Sequence, residues 1–308
     1  MQTGYREPMT SQIPSATPLL DKEVHTPFDI LEPIAQTAPV VFASPHSGRD
    51  YPASFIAASQ LDPVARSRSE DAFVDELYEQ APHFGAPLIR AHFPRAYADP
   101  NREPWELDPT MFDEPLPDWV NTTSPRVRAG LGTVAKVVTD GAEIYADKIT
   151  FAEAQSRIEH CYKPYHAALS AILQRTRDQF GAYLLIDCHS MPSIGGPMDR
   201  DPGTDRVDMV LGDANGSACT QRITNMAHQV LRDMGYRVVL NTPYAGGFTT
   251  RNYGKPAENA HALQIEVNRA LYMDERTITR SGGFAKLAQD LSKLIEALVG
   301  VDLNLLKR

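Results

Sequence analysis

The sequence predicts a single α/β domain with a central mixed, mostly parallel sheet flanked by helices, and three observations carry that expectation. Apolar runs of strand length alternate with stretches of helical periodicity along most of the chain. No internal repeat or low-complexity tract interrupts the pattern. A length of 308 residues is enough for one large core. Strands separated by helices usually join in parallel, and the sheet that results is covered on both faces.

The elements follow in order. Residues 1–24 are rich in Pro, Ser and Thr and lack the basic start and apolar stretch of a secretory leader, so a flexible arm is expected ahead of one domain over 25–308. Val40 to Ala43 reads as a buried strand. Asp71 to Phe84 carries Phe73, Val74, Leu77 and Tyr78 at helical spacing, and Val134 to Val138 reads as a second strand. A long helix is expected from Phe151 to Gln179, with Ile158, Tyr162, Tyr165, Leu169, Ile172 and Leu173 along one stripe. Strands at Tyr183 to Cys188, Asp208 to Leu211, Tyr236 to Leu240 and Ala262 to Val267 follow, with helices at Ser217 to Met234 and Phe284 to Val299. Residues 91–130 and 189–206 are polar, proline-rich and too long for ordinary connections, which marks them as functional loops.

Composition narrows the possible partners. The chain is 42% apolar and 22% charged and has no apolar run of the ~18 residues that a membrane span needs, so no membrane partner is expected. Its net charge is −9, and no stripe of lysines and arginines is present to neutralise a phosphate backbone, so no nucleic acid is expected either. A negative field repels small anions, and a site for an acidic substrate must therefore gather arginines locally. Cys161, Cys188 and Cys219 are odd in number and lack paired spacing, which argues against disulfides and a cysteine zinc site. A cytoplasmic protein is expected.

Chemistry concentrates where strands end. Val40-Val41-Phe42-Ala43 runs into Ser44-Pro45-His46-Ser47-Gly48, and Tyr183-Leu184-Leu185-Ile186 runs into Asp187-Cys188-His189-Ser190. In open α/β sheets the ligand crevice lies beyond the carboxyl ends of the strands, so both histidines are candidate metal ligands. Asp187, two residues before His189, points to the same side of its strand and can orient the ring. A catalytic zinc takes three protein ligands, and Glu70 and Asp71 are the acids available for the third place. Either could instead serve only to complement a helix N-terminus. Glu266 interrupts the apolar run Ala262 to Val267, and a carboxylate buried there is costly unless it is paired, with Arg269 for example, or its pKa rises. A raised pKa suits a group that takes a proton from water and returns it to a leaving amine. Arginines in turn-rich segments, Arg95 and Arg102 in RAYADPNR and Arg251 in GGFTTR, can fork onto carboxylates.

Taken together, SPHSG at Ser44 to Gly48, EDAFVDELY at Glu70 to Tyr78, RAYADPNR at Arg95 to Arg102, DCHS at Asp187 to Ser190, GGFTTRNYG at Gly246 to Gly254 and QIEVNR at Gln264 to Arg269 resemble the N-formylglutamate amidohydrolase family. The resemblance implies a phosphorylase/hydrolase-like, zinc carboxypeptidase-like fold and one zinc ion held by His46, His189 and an acid of the ED pair. Asp71 matches the family motif better than Glu70. It also implies Glu266 as the general base, and Asn101 and Arg102 as the grip on the substrate carboxylate with Arg95 and Arg251 nearby. The expected substrate is a small anionic N-acyl amino acid, N-formyl-L-glutamate first, cleaved to formate and L-glutamate. Another N-acyl amino acid or a small peptide is the alternative. A noncatalytic protein binding a metal or an acidic metabolite is the alternative of another class. Manganese, cobalt or nickel suits a two-His, one-carboxylate set as well as zinc does.

Overall fold

The computed structural model describes residues 26–307 apart from Met198 and Arg200, and the arm expected over residues 1–24 lies outside the described residues. At its centre is a seven-stranded sheet of order β1-β3-β2-β4-β7-β5-β6. The strands are β1 Phe28–Leu31, β2 Val40–Ser44, β3 Leu88–Ala91, β4 Tyr183–Met191, β5 Met209–Gly212, β6 Val238–Leu240 and β7 Ala260–Asn268. β2 pairs in parallel with β3 and β4, β4 with β7, and β5 with β6, while β1 and β5 run antiparallel to β3 and β7. The helices are α1 Ala53–Ala58, α2 Pro63–Ser67, α3 Val74–Leu77, α4 Pro125–Arg128, α5 Phe151–Arg157, α6 Lys163–Phe180, α7 Gln221–Asp233, α8 Phe248–Tyr253 and α9 Phe284–Val299. Among the described residues no helix is long and apolar enough to cross a membrane.

Strand alternation divides the core into two layers. Val40 and Phe42, Leu184 and Ile186, and Leu263 and Ile265 face α3, α7 and α9. Val41 and Ala43, Tyr183 and Leu185, and Ala260 and Ala262 face α6. On this second face β4 and β7 change character along their length. Their amino halves are apolar, whereas their carboxyl halves put Asp187 and His189 beside Gln264 and Glu266. The same two strands therefore make core at one end and a polar site at the other.

The expected long helix is present with one irregularity. Thr150 and Glu153 form a reciprocal cap at its start, and Gly181, with φ 77, ends it. Between α5 and α6 the segment Ile158–Tyr162 is a π-helical turn. The turn brings Tyr162 to donate to Arg102 O at 2.8 Å and His166 to lie 2.8 Å from Pro100 O.

Several expectations are corrected. Val134 to Val138 is not a strand: Lys136 N and Val137 N both donate to Gly130 O, and the apolar residues fill two side clusters instead of a ladder. Asp71 to Phe84 is not one helix. Phe73 is left-handed at φ 66, so only Val74–Leu77 is α-helical before a 3-10 turn at Ala81–Phe84. Asp71 thus sits in a buried turn before the helix rather than in its first turn. Residues 189–191, expected in a loop, belong to β4. The four-residue strands β1 and β3, at the short end of readable alternation, were not expected from the sequence.

Candidate metal centre and active site

Three elements bring His46, Asp71 and His189 together. The turn after β2 carries His46, and its backbone carbonyl accepts from Asp71 N at 3.0 Å. Ser47 Oγ lies 3.1 Å from Asp71 O and accepts from Asp75 N at 3.1 Å, fastening the two turns to each other. Gly48 is required here, because a Cβ would lie 2.2 Å from Phe93 O. His189 arrives on β4, in the second, polar half of the face described above.

The ligand atoms converge on a single carboxylate oxygen. Asp71 Oδ2 lies 3.3 Å from His46 Nδ1 and 3.0 Å from His189 Nδ1, and the three groups form a buried set that could hold a metal ion. The other atoms of each residue are already engaged. His46 Nε2 donates to Asp99 Oδ1 at 2.7 Å, and His189 Nε2 donates to Asp187 Oδ1 at 2.9 Å. Carboxylates in those positions fix the ring tautomer and leave both Nδ1 lone pairs facing Asp71. Asp71 Oδ1 accepts from Arg269 NH2 at 3.1 Å and from Ser190 Oγ at 3.3 Å, leaving Oδ2 as the oxygen available to a cation. This donor set of two imidazoles and one carboxylate fits zinc and related divalent ions. Glu70 points elsewhere, accepting from Tyr51 OH.

The charges respond to this crowding. Burial alone would raise the pKa of Asp71, but the bonds from His189 and His46 hold it well below the usual carboxylate range. Burial works against a charged His189, yet Asp187 and Asp71 raise it well above a free imidazole. At His189 Nδ1 a metal and a proton therefore compete for one lone pair.

Glu266 lies opposite His189 in the β4–β7 register. Gln264 Nε2 donates to Glu266 Oε1 at 2.8 Å, and Arg269, the partner considered from sequence, is taken by Asp71. Burial, with help from Asp71 and Asp187, raises Glu266 to about 8, against the pull of His189 and Arg95. A dication in the neighbouring set would lower that value toward neutrality. The carboxyl is thus able to exchange a proton near neutral pH.

Asn101 lies against His189. Its Oδ1 accepts from Thr249 N at 2.8 Å, and its Nδ2 is 3.2 Å from His189 Nε2. Gly247 explains the glycines before Thr249, since a Cβ there would lie 2.3 Å from Asn101 Nδ2. Arg95 binds Asp99 Oδ2 at 2.8 Å, and Arg102 approaches the same oxygen at 3.5 Å while donating to Leu131 O and Asn101 O. Arg251 is exposed on α8 and stands apart from the metal set. Asp99 was missed in the sequence although it sits inside RAYADPNR, because its contact with His46 spans 53 residues. His166 was missed too. It bridges Pro100 O and Tyr253 OH, at 2.8 and 2.9 Å, and burial lowers its pKa to about 4, so it stays neutral.

Known proteins share the sequence and the fold of this chain. The model of the N-formylglutamate amidohydrolase family matches residues 38–273. N-formylglutamate deformylase of Pseudomonas putida is 30% identical over 242 residues, covering 77% of this chain and 82% of the relative. The protein of the same name from Pseudomonas aeruginosa is 30% identical over 244 residues, covering 77% and 83%. The crystal structure of N-formylglutamate amidohydrolase from Ralstonia eutropha JMP134 is 37% identical with a TM-score of 0.81, and the match covers 89% of this chain and 97% of that one. The family match over most of the chain and the shared fold lead to one conclusion: this chain belongs to the N-formylglutamate amidohydrolase family.

Proposed function

We propose that this chain is a zinc-dependent amidohydrolase that cleaves N-formyl-L-glutamate to formate and L-glutamate. The observation that carries the reading is the buried His46, Asp71 and His189 set with the raised carboxyl of Glu266 in register beside it. His46 Nδ1, Asp71 Oδ2 and His189 Nδ1 would hold the ion. A bound zinc supplies Lewis acidity, which makes water a nucleophile near neutral pH and draws charge from the amide carbonyl.

The residues of the chain do the rest. Glu266 takes the proton of the attacking water at a carboxylate oxygen and gives it to the departing nitrogen. Gln264, donating to Oε1, holds that carboxyl in place. Asp99 and Asp187 keep the two imidazoles in the tautomer that ligation needs. Asn101 and Arg102, with Arg95 and Arg251 nearby, bind the substrate carboxylate and hold the amide against Glu266. A noncatalytic metal-binding protein would have no use for a buried carboxyl with a raised pKa in register beside the ligands.

A coupled assay of formate and glutamate release tests the reading. Equimolar products are expected, with loss of turnover after chelation and recovery on adding zinc. Turnover that survives complete removal of metal would overturn the zinc assignment, and no release of formate would overturn the substrate.

A further inference from the structure

Four arginines from three separate segments share one neighbourhood. Arg95 and Arg102 lie on the loop after β3, Arg126 on α4 and Arg251 on α8. The loops are tied through one residue: Leu131 N donates to Arg126 O at 2.9 Å, and Leu131 O accepts from Arg102 Nε at 2.8 Å. The four differ in what they already hold. Arg95 has two bonds to Asp99 Oδ2, and Arg102 spends donors on Leu131 O, Asn101 O and Asp99. Arg126 and Arg251 are exposed, and among the described residues their guanidinium groups make no hydrogen bond or ion pair.

Their charges act on one another. Partial desolvation, together with Arg95 and Arg251, weakens the hold of Arg126 on its proton, against the attraction of Asp99 and Glu106. Burial lowers Arg102 to about 10, with Arg126 and Arg95 contributing and Asp99 and Glu106 opposing. Four guanidinium groups thus gather beside Asp99 and Glu106 in a chain of net charge −9, with Arg95 also feeling Asp71 and Glu266, and this local cluster is the positive charge that an anionic substrate needs.

We infer that Arg126, assisted by Arg251, binds the side-chain carboxylate of the substrate, while Asn101 and Arg102 take the α-carboxylate. The inference rests on the reading of this chain as an N-formylglutamate hydrolase and adds the residue that distinguishes glutamate from its neutral analogues. A guanidinium with uncommitted donors is suited to a fork onto a carboxylate, and Arg102, whose NH2 meets Asp99 only at 3.5 Å, keeps a donor for the other carboxylate.

N-formylglutamate and N-formylglutamine are nearly isosteric and differ in one charge, so the ratio of their kcat/KM values measures recognition of that charge. The wild type is expected to prefer the glutamate substrate. Arg126→Gln should cut the ratio by roughly 10-fold to 100-fold, the span of one charge-assisted hydrogen bond. Arg126→Lys should restore part of it. The side chain makes no bond that holds the fold, so a soluble variant with normal metal content is expected. An unchanged ratio, or an equal fall on both substrates, overturns the assignment. A wild-type ratio near one also overturns it and leaves the hydrolase reading intact. A wild type inactive on both substrates refutes the hydrolase reading itself, before any variant is made.

Discussion

Replacing Asp99 with Asn keeps the shape of a buried side chain and removes the charge on which four groups depend. Oδ1 accepts from His46 Nε2 at 2.7 Å and from Asn101 N at 2.8 Å, and Oδ2 meets Arg95 at 2.8 Å and Arg102 at 3.5 Å. Both oxygens face donors only. In either orientation the new amide sets its NH2 against an existing N–H, so one side of the network is lost. Leaving buried charges without their partner costs about 3–5 kcal/mol, and part of that is relieved at Arg95, whose side chain is 20% exposed. Losing the carboxylate behind a ligating histidine costs roughly 10-fold to 100-fold in metal affinity. Denaturant unfolding of the metal-free proteins at neutral pH measures the first effect, and competition with a chromogenic chelator measures the second.

The pH dependence follows from the same contacts. Burial would raise Asp99, but Arg102, Arg95 and His46 together hold it well below the carboxylate range. Its stabilisation is therefore complete above the unfolded value of about 4 and is lost as pH falls below it. Asp99→Asn should remove that acid-sensitive component. A variant within about 0.5 kcal/mol of wild type that binds metal within about twofold would refute the reasoning, since that is the range of surface substitutions.

Other outcomes follow from the site. Glu266→Gln should lower turnover by roughly 100-fold to 10,000-fold while metal stays bound, and near-normal activity would remove Glu266 from proton transfer. In the metal-free protein the folded state holds a proton on Glu266 between the unfolded value of about 4.3 and about 8. Stability should fall as pH rises through that window, by at most about 1.4 kcal/mol per unit, and the Gln variant should flatten the slope. Arg102→Ala should raise KM for the carboxylate substrate by roughly 10-fold or more with a smaller change in kcat, and an unchanged KM would count against its place in the pocket. His166→Ala should raise KM severalfold by releasing Pro100 from Tyr253, with about 1–3 kcal/mol lost in unfolding experiments. Unaltered kinetics in that variant would reduce His166 to a core residue.

Much of the site was legible because its residues stand at the ends of readable strands. His189 and Glu266 both interrupt apolar runs, and the parallel register of β4 and β7 turns two separate interruptions into neighbours. What stayed hidden depends on contacts between distant segments. Asp99 reads as one more acid in a proline-rich turn until His46 is brought against it, and Arg126 reads as a surface arginine on a four-residue helix. Val134 to Val138 misled for the opposite reason: burial alone produces an apolar run, and nothing in a run says whether a partner strand exists. The choice between Glu70 and Asp71 was undecidable from spacing, since a turn with a left-handed Phe73, rather than a helix, sets their directions.

The π-helical turn at Ile158–Tyr162 carries a consequence for how this chain can tolerate insertions and deletions. An α-helix advances about 100° per residue, so one wide turn resets the phase of everything after it. Before the turn, Arg157 is keyed to the rings of Tyr97 and Tyr145; Tyr162 at its end and His166 beyond it are keyed to the segment 100–102. Removing one residue between them would convert the turn to regular helix and swing the second set away while the first stayed in place. The count of residues from Arg157 to Tyr162 therefore behaves as a fixed gear ratio between the aromatic cluster and the segment 100–102.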